Sequence, residues 1–304
     1  MFHSVRVASI SFEPRPFDVA ANADRLERLF RQAAADGAQL AVAPEGSLDG
    51  YVVNQIIDGS EPAERMHEAA IPIDGSVMRR FRRLARDLKL SIAFGFAERV
   101  GADVYNCAVF IDSDGRLRGK YHKMQLAEGY DPSWWWNRLG AHSRAFDTPF
   151  GRCGFLICND RWNADLARIA VLDGAQYLLI PCYGSRTKEQ DVAVISRARE
   201  NGVPIVEANV GVTLIVSKGE VVALSRKRTT VTHGTIDIPA LPLEKSRDTQ
   251  EEAFLHWRRE EMKFRRDAAL ARVKRGVSEQ DLPHDATGRL MERDTAIDDL
   301  EQSA

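Results

Sequence analysis

Apolar residues along this chain follow two rhythms, and the changes between them mark out its elements. Val5 to Ile10 reads as a first strand, broken by Glu13-Pro14-Arg15-Pro16. From Asn22 to Asp36 apolar residues recur at helical spacing (Leu26, Leu29, Phe30, Ala33, Ala34), and Gly37 offers the left-handed stop. Gln39 to Ala43 predicts a strand buried on both faces, ending in Pro44-Glu45. Ser76 is placed to cap a basic helix running to about Leu88. Ser91 to Ala97, Val104 to Ile111 and Leu117 to Tyr121 then read as consecutive strands with polar turns between them. Such a meander excludes a fold that alternates strand and helix throughout.

The second half opens on an apolar run, Gly154 to Ile157, that stops at Cys158-Asn159-Asp160-Arg161-Trp162. Asn163 to Asp173 is helical and Gly174 ends it; Tyr177 to Ile180 is again wholly apolar. Lys188 to Asn201 is a helix stopped by Gly202, and strands follow at Val203–Ala208, Val212–Val216, Val221–Leu224 and Thr229–Ile238. A repeat joins the halves. Asp36-Gly37-Ala38-Gln39 leads through four residues to Pro44, and Asp173-Gly174-Ala175-Gln176 through four to Pro181. Each copy follows a strand and a helix, so a pseudo-twofold arrangement of two sheets is expected, with Glu45 and Cys182 at corresponding strand ends. Beyond Pro242 charges dominate. Glu251 to Val273 predicts a helix with a sparse apolar stripe (Phe254, Leu255, Trp257, Met262, Phe264), and the last thirty residues read as weakly ordered.

Composition narrows the class. With 304 residues, 44% hydrophobic and 28% charged, the chain can bury a large core. Its formal net charge of −2 gives no footprint for nucleic acid or an anionic membrane. No apolar run approaches the roughly 20 residues of a membrane span, and the N-terminus enters a strand at once without a leader. Cys107, Cys153, Cys158 and Cys182 form neither a disulfide framework nor a CxxC pair, so reduced thiols and a cytoplasmic location are expected.

Chemistry concentrates at strand ends. A buried cysteine is most often a core residue. Cys158, however, stands where a buried strand meets a polar turn, and helix-start N–H groups or cations there favour the thiolate. Glu45 closes a buried strand, where desolvation of a carboxylate requires partners. Lys123 lies in Tyr121-His122-Lys123, with Glu128 and the tryptophans Trp134, Trp135 and Trp136 close behind as a pocket wall or an interface. A thiol needs a base, a tetrahedral oxyanion needs a cation, and a leaving amine needs a proton. Glu45, Lys123 and Cys158 can supply all three. Cys182 is a rival nucleophile, but no charged turn follows it.

Taken together, Ala43-Pro44-Glu45 with Gly50-Tyr51, Tyr121-His122-Lys123, Cys158-Asn159-Asp160-Arg161, and Arg197 to Asn201 leading to Ala208-Asn209-Val210-Gly211 resemble the carbon–nitrogen hydrolase (nitrilase) superfamily over residues 4 to 240. The resemblance implies a four-layer α-β-β-α sandwich, paired with a second copy, as a domain over 1–243. Residues 244–304 would be a charged helical tail, an oligomer or partner contact. It also implies Cys158 as nucleophile, Glu45 as general base and then acid, and Lys123 as stabiliser of the tetrahedral intermediate. Glu128 would position the substrate, and the backbone N–H of Asn159 would complete the oxyanion site. No metal or organic cofactor is called for. The implied reaction is hydrolysis of a small amide or N-carbamoyl amine through a thioacyl-enzyme. Nitrile hydrolysis, acyl transfer, a non-catalytic scaffold and a redox-sensing thiol paired with Cys153 or Cys182 stay open. Two departures stand out: a short connection between Gly211 and Ser217, and the charged tail. Arg138, Arg144, Trp134 and His142 are candidates for holding a substrate's carboxylate or amine.

Overall fold

The computed structural model describes residues 2–240 and 247–275. Two six-stranded sheets lie face to face. In the first, β1 (Phe2–Ser11) lies beside β2 (Leu40–Val42) and β3 (Ser91–Val100), all parallel, and antiparallel β4 (Asp103–Ile111), β5 (Leu117–His122) and β12 (Thr230–Pro239) extend the edges. In the second, β7 (Gly151–Phe155), β8 (Tyr177–Cys182) and β9 (Ile205–Asn209) are parallel, flanked by antiparallel β6 (Phe146–Thr148), β10 (Val212–Ser217) and β11 (Glu220–Ser225). The sequence repeat maps onto this pseudo-symmetry: β2 and β8 are each the middle strand of a parallel trio. Both read as continuous apolar runs because both of their faces are covered.

Helices α1 (Val19–Ala35) and α4 (Ser76–Leu88) cover the outer face of the first sheet, where Leu26, Phe30, Phe81 and Leu84 meet Ile10, Ala41, Ile92 and Phe94. Helices α5 (Ala164–Leu172) and α6 (Lys188–Asn201) cover the second, and the inter-sheet core joins Val5, Val42 and Phe110 to Phe155, Leu179 and Ile205. The four-layer α-β-β-α order is the expected one. Two short helices not foreseen, α2 (Val53–Ile57) and α3 (Glu64–Ala69), lie in the β2–β3 connection. Helix α1 ends as its sequence implies, with Asp36 as cap and Gly37 at φ +84°. Ser76 does not cap α4: Gly75 occupies that position and no side chain caps the end. The stretch after Gly211 is short because it is strand β10 itself, which Val210-Gly211 joins to β9 in a tight turn.

A seventh helix, α7 (Arg247–Arg275), packs along α5. It buries Phe254, Met262 and Ala269, while Leu255 and Trp257 lie half-covered against the inter-sheet core. The apolar stripe read from its sequence therefore faces this chain's own sandwich. The weakly ordered C-terminal thirty residues of the sequence reading, and Pro242, lie outside the described residues.

Candidate active site

Three strand ends and one turn meet at the edge between the sheets. Beyond β2, the chain through Ala43-Pro44-Glu45 stays hydrogen-bonded to β3: Ala43 N donates to Ala93 O (2.8 Å), Gly95 N to Pro44 O (3.0 Å) and Ser47 N to Gly95 O (2.8 Å). The approach is so close that a Cβ on Gly95 would sit 2.6 Å from Glu45 Cα. Lys123 follows β5 and is clamped through its backbone, N to Asn106 O at 2.9 Å and O from Gly140 N at 2.8 Å.

The two side chains meet in a buried site. Both are fully buried, and Lys123 Nζ donates to Glu45 Oε1 at 2.7 Å. Asn106 Nδ2 donates to the same oxygen at 2.6 Å, while Glu45 Oε2 is buried with no hydrogen-bond partner among the described residues. Burial, and then the Cys158 thiolate, hold the Glu45 pKa well above the usual carboxylate range; Lys123 and Asn106 oppose this. Burial alone would lower Lys123, but Glu45 and Cys158 outweigh it and keep the ammonium charged.

Cys158 opens a five-residue 3₁₀ turn, Cys158–Trp162, and α5 begins only at Ala164 behind its cap Asn163. The thiol thus stands not at the start of the long helix but on a tight elbow, at φ +47°, a left-handed conformation that is unfavourable for any side chain bearing Cβ. Asp160 ties the elbow down, accepting from Ile157 N (2.9 Å), Gln125 N (2.8 Å) and Tyr121 Oη (2.8 Å). Burial lifts Asp160 to about 6 despite these donors and Lys123. The Cys158 pKa is held well below the ordinary thiol value, first by a hydrogen bond from Cys182 and then, against burial, by Lys123 and Arg161.

Cys182 is the fully buried neighbour, not an equivalent. Burial pushes its thiol well up, although Arg161 Nη1 lies 2.8 Å from its sulfur. Arg161 is itself buried and pairs with Glu207 Oε1 at 3.4 Å; Gln190 Nε2 donates to both Glu207 oxygens at 2.9 and 2.8 Å.

Glu128 is buried beside this group, its carboxylate bonded to Tyr51 Oη and acting on the Lys123 charge. Tyr51 stacks on Tyr183 (centroids 5.0 Å apart), and the Lys123 ammonium lies 5.5 Å from the Tyr51 ring centre. Next to Tyr51 and Asn106 lies a small cleft walled by Val52, Met66, Val104 and Trp136, with Asp49 and Asn137 also in its lining. Of the tryptophans, Trp136 lines this wall with Trp134 stacked on it at 4.8 Å. Arg138 is spent on Asp103 (2.8 Å) and Tyr130 Oη (3.0 Å), and Arg144 on Glu251 of α7 (2.7 Å). His142 stands beside the same glutamate at 3.8 Å. All three thus engage carboxylates of this chain, Arg144 and His142 that of α7.

Asn106 was not singled out from the sequence, and Tyr51 and Asp160 stood in the quoted motifs without a role of their own. Asn106 left one trace, a polar residue inside an apolar strand pattern. On the other face of the same strands Glu98, Cys107 and His122 converge within 4.8 Å, but Lys120 (2.9 Å) and His122 occupy the Glu98 oxygens, so the cluster reads as an ion pair.

This fold, with an acid, a lysine and a cysteine meeting at its sheet edges, defines a class. The carbon-nitrogen hydrolase family model matches residues 6–241, and the chain belongs to that family. Among curated relatives it is 29% identical over 215 residues to a bifunctional nitrilase/nitrile hydratase of Lupinus angustifolius, an alignment covering 68% of this chain and 61% of the relative. It is also 30% identical over 204 residues to the N-carbamoylputrescine amidase of Arabidopsis thaliana, covering 63% and 66%. The chain thus spans less than two thirds of the length of these relatives. Among solved structures, an amidase from Nesterenkonia sp. AN1 in complex with acrylamide superposes with a TM-score of 0.65 at 23% identity, covering 83% of this chain and 97% of that one. Among the described residues no helix is long and apolar enough to cross a membrane.

Proposed function

We propose that this chain hydrolyses the C–N bond of a small amide or N-carbamoyl amine through a thioacyl-enzyme on Cys158. The carrying observation is the convergence, in one largely buried site, of a thiol whose pKa is lowered, a carboxyl whose pKa is raised and a lysine kept charged. Glu45 takes the proton of the Cys158 thiol, and the sulfur attacks the carbonyl carbon. Lys123 and the backbone N–H of Asn159 stabilise the oxyanion, and Glu45, through its free Oε2, protonates the departing ammonia or amine. The same carboxylate then takes a proton from the water that attacks the thioester, closing the cycle. Glu128, held by Tyr51, orients the substrate nitrogen.

Two likenesses support the reading. A point mutant of the Nesterenkonia sp. AN1 amidase carries the acetamide moiety of fluoroacetamide covalently at its active-site cysteine, on the same fold. The relatives include amidases of N-carbamoyl compounds. Nitrile hydrolysis is the second reading, favoured by the nitrilase relatives. Location in the cytoplasm and assembly as a homodimer belong to the same proposal.

Ammonia release from a panel of small amides, N-carbamoyl amines and nitriles, with intact-mass detection of the acyl adduct, tests it. Turnover and adduct are expected in the wild type and neither in Cys158→Ala, which keeps its fold. Ammonia release unchanged in that variant would sink the assignment.

A further inference from the structure

Helix α7 lies beyond the family match, which ends at residue 241, yet it reaches both sides of the site. On the lysine side, Arg258 Nη1 donates to Gly140 O at 2.6 Å and to Met124 O at 3.2 Å. Gly140 N in turn donates to Lys123 O at 2.8 Å. One guanidinium thus bridges the peptide after Lys123 and the loop segment that clamps Lys123. The same helix continues along the segment carrying Glu128: Tyr130 N donates to Met262 O (3.1 Å), and Arg266 Nη1 to Asp131 (2.6 Å). Gly129 is pressed so closely that a Cβ there would stand 1.9 Å from Arg266 N.

On the nucleophile side, the fully buried Arg265 is paired with Glu261 at 2.8 Å and points Nη1 at Asn159 Oδ1, 3.5 Å away. Asn159 Nδ2 faces Gln125 O at 3.4 Å, so the residue after the thiol spans from α7 to the lysine segment. Both long contacts are weak singly, but Arg265 brings a full charge to a buried amide dipole.

We propose that Arg258 and Arg265 are positioning residues. They make α7 a working part of the site by fixing Lys123 and the Cys158 elbow relative to one another. This rests on the reading of Cys158 as nucleophile and Lys123 as its cation. Neither arginine touches substrate; each acts through backbone or amide groups next to a catalytic residue. Since Lys123 helps hold the thiol toward its thiolate, slack in its clamp raises the Cys158 pKa and slows attack.

The full-length wild type, Arg258→Ala, Arg258→Lys and Arg265→Met are compared for folding by circular dichroism, for Cys158 alkylation by iodoacetamide across pH, and for amide turnover. Folded Arg258→Ala is expected to alkylate about tenfold more slowly at neutral pH, with its midpoint moved upward. Its kcat should fall about ten- to a hundredfold with KM within about threefold, as for a misplaced catalytic group. Arg258→Lys should recover part of both, and Arg265→Met should shift the alkylation profile in the same direction. If Arg258→Ala does not fold, Arg258→Gln, which keeps a donor and most of the stem, replaces it. Wild-type alkylation profiles and kcat in the folded variants would overturn the proposal. Alkylation needs no substrate: profiles that shift while no amide is turned over even by the wild type leave the positioning role standing and count against the amidase reading instead.

Discussion

Replacing Glu45 by glutamine separates charge from shape. Glutamine keeps a carbonyl oxygen to accept from Lys123 and Asn106, which approach Oε1 at 2.7 and 2.6 Å, and sets an amide where Oε2 now has no partner. What is lost is one negative charge. At 2.7 Å and an effective dielectric near 20, its attraction to the ammonium is about 6 kcal/mol gross. Cys158, Glu128 and Asp160 also favour the Lys123 charge, so the lysine stays protonated. The net loss of stability is then about 3 kcal/mol or less, the low end for a broken buried pair. Turnover should fall by about 10²- to 10⁴-fold, because both proton transfers lose their carrier. Thiol reactivity should move the other way. The Cys158 thiolate raises the Glu45 pKa, and by reciprocity the Glu45 carboxylate opposes the thiolate. Removing it lowers the thiol pKa, so the iodoacetamide midpoint shifts to lower pH while catalysis is lost. Ammonia release and pH-resolved alkylation on the same preparation read both. Turnover within about threefold of wild type, or a midpoint that rises, would refute the reasoning.

Gly95→Ala places a Cβ 2.6 Å from Glu45 Cα; a backbone shift at that carboxylate should cut kcat by about 10² or more, measured on protein whose sheet signal in circular dichroism is retained. Tyr51→Phe removes the hydroxyl that holds Glu128 and should lower kcat/KM by about ten- to a hundredfold, the worth of a hydrogen bond to a buried charge; an unchanged value would remove Glu128 from substrate positioning. Glu207 has its pKa raised from 4.5 to about 7, chiefly by burial. A carboxyl with a higher folded than unfolded pKa takes up a proton on folding, so its ionisation costs stability as pH rises from about 4.5 to about 7, reaching about 3 kcal/mol above that. Chemical denaturation of Glu207→Gln against wild type should therefore show the variant gaining relative stability between pH 5 and 8; a difference that is flat with pH would contradict this.

By itself the sequence determined the elements and their order. Covered strands such as Tyr177–Ile180 and stops such as Gly37 and Gly202 are local: burial of both faces writes an apolar run, and a left-handed φ selects glycine. The repeat at Pro44 and Pro181 foretold paired sheets; Glu45 and Cys158 were legible because each ends an apolar run with a group that is costly to bury, and Lys123 through its place in Tyr121-His122-Lys123. Tertiary structure alone decided which partners meet that expense. Asn106 lies 61 residues from Glu45 in sequence, Asp160 ties to Tyr121 across 39, and Arg265 reaches Asn159 across 106; pairings at such separations follow from strand register and helix packing, which no local window contains. The same holds for α7. Its sparse apolar stripe fitted equally well a partner's surface or the chain's own. Only the contacts of Phe254, Met262 and Arg258 with this sandwich made it the chain's own. The 3₁₀ elbow under Cys158 was likewise hidden, since Asp160 stabilises it by gathering donors from three segments of the chain.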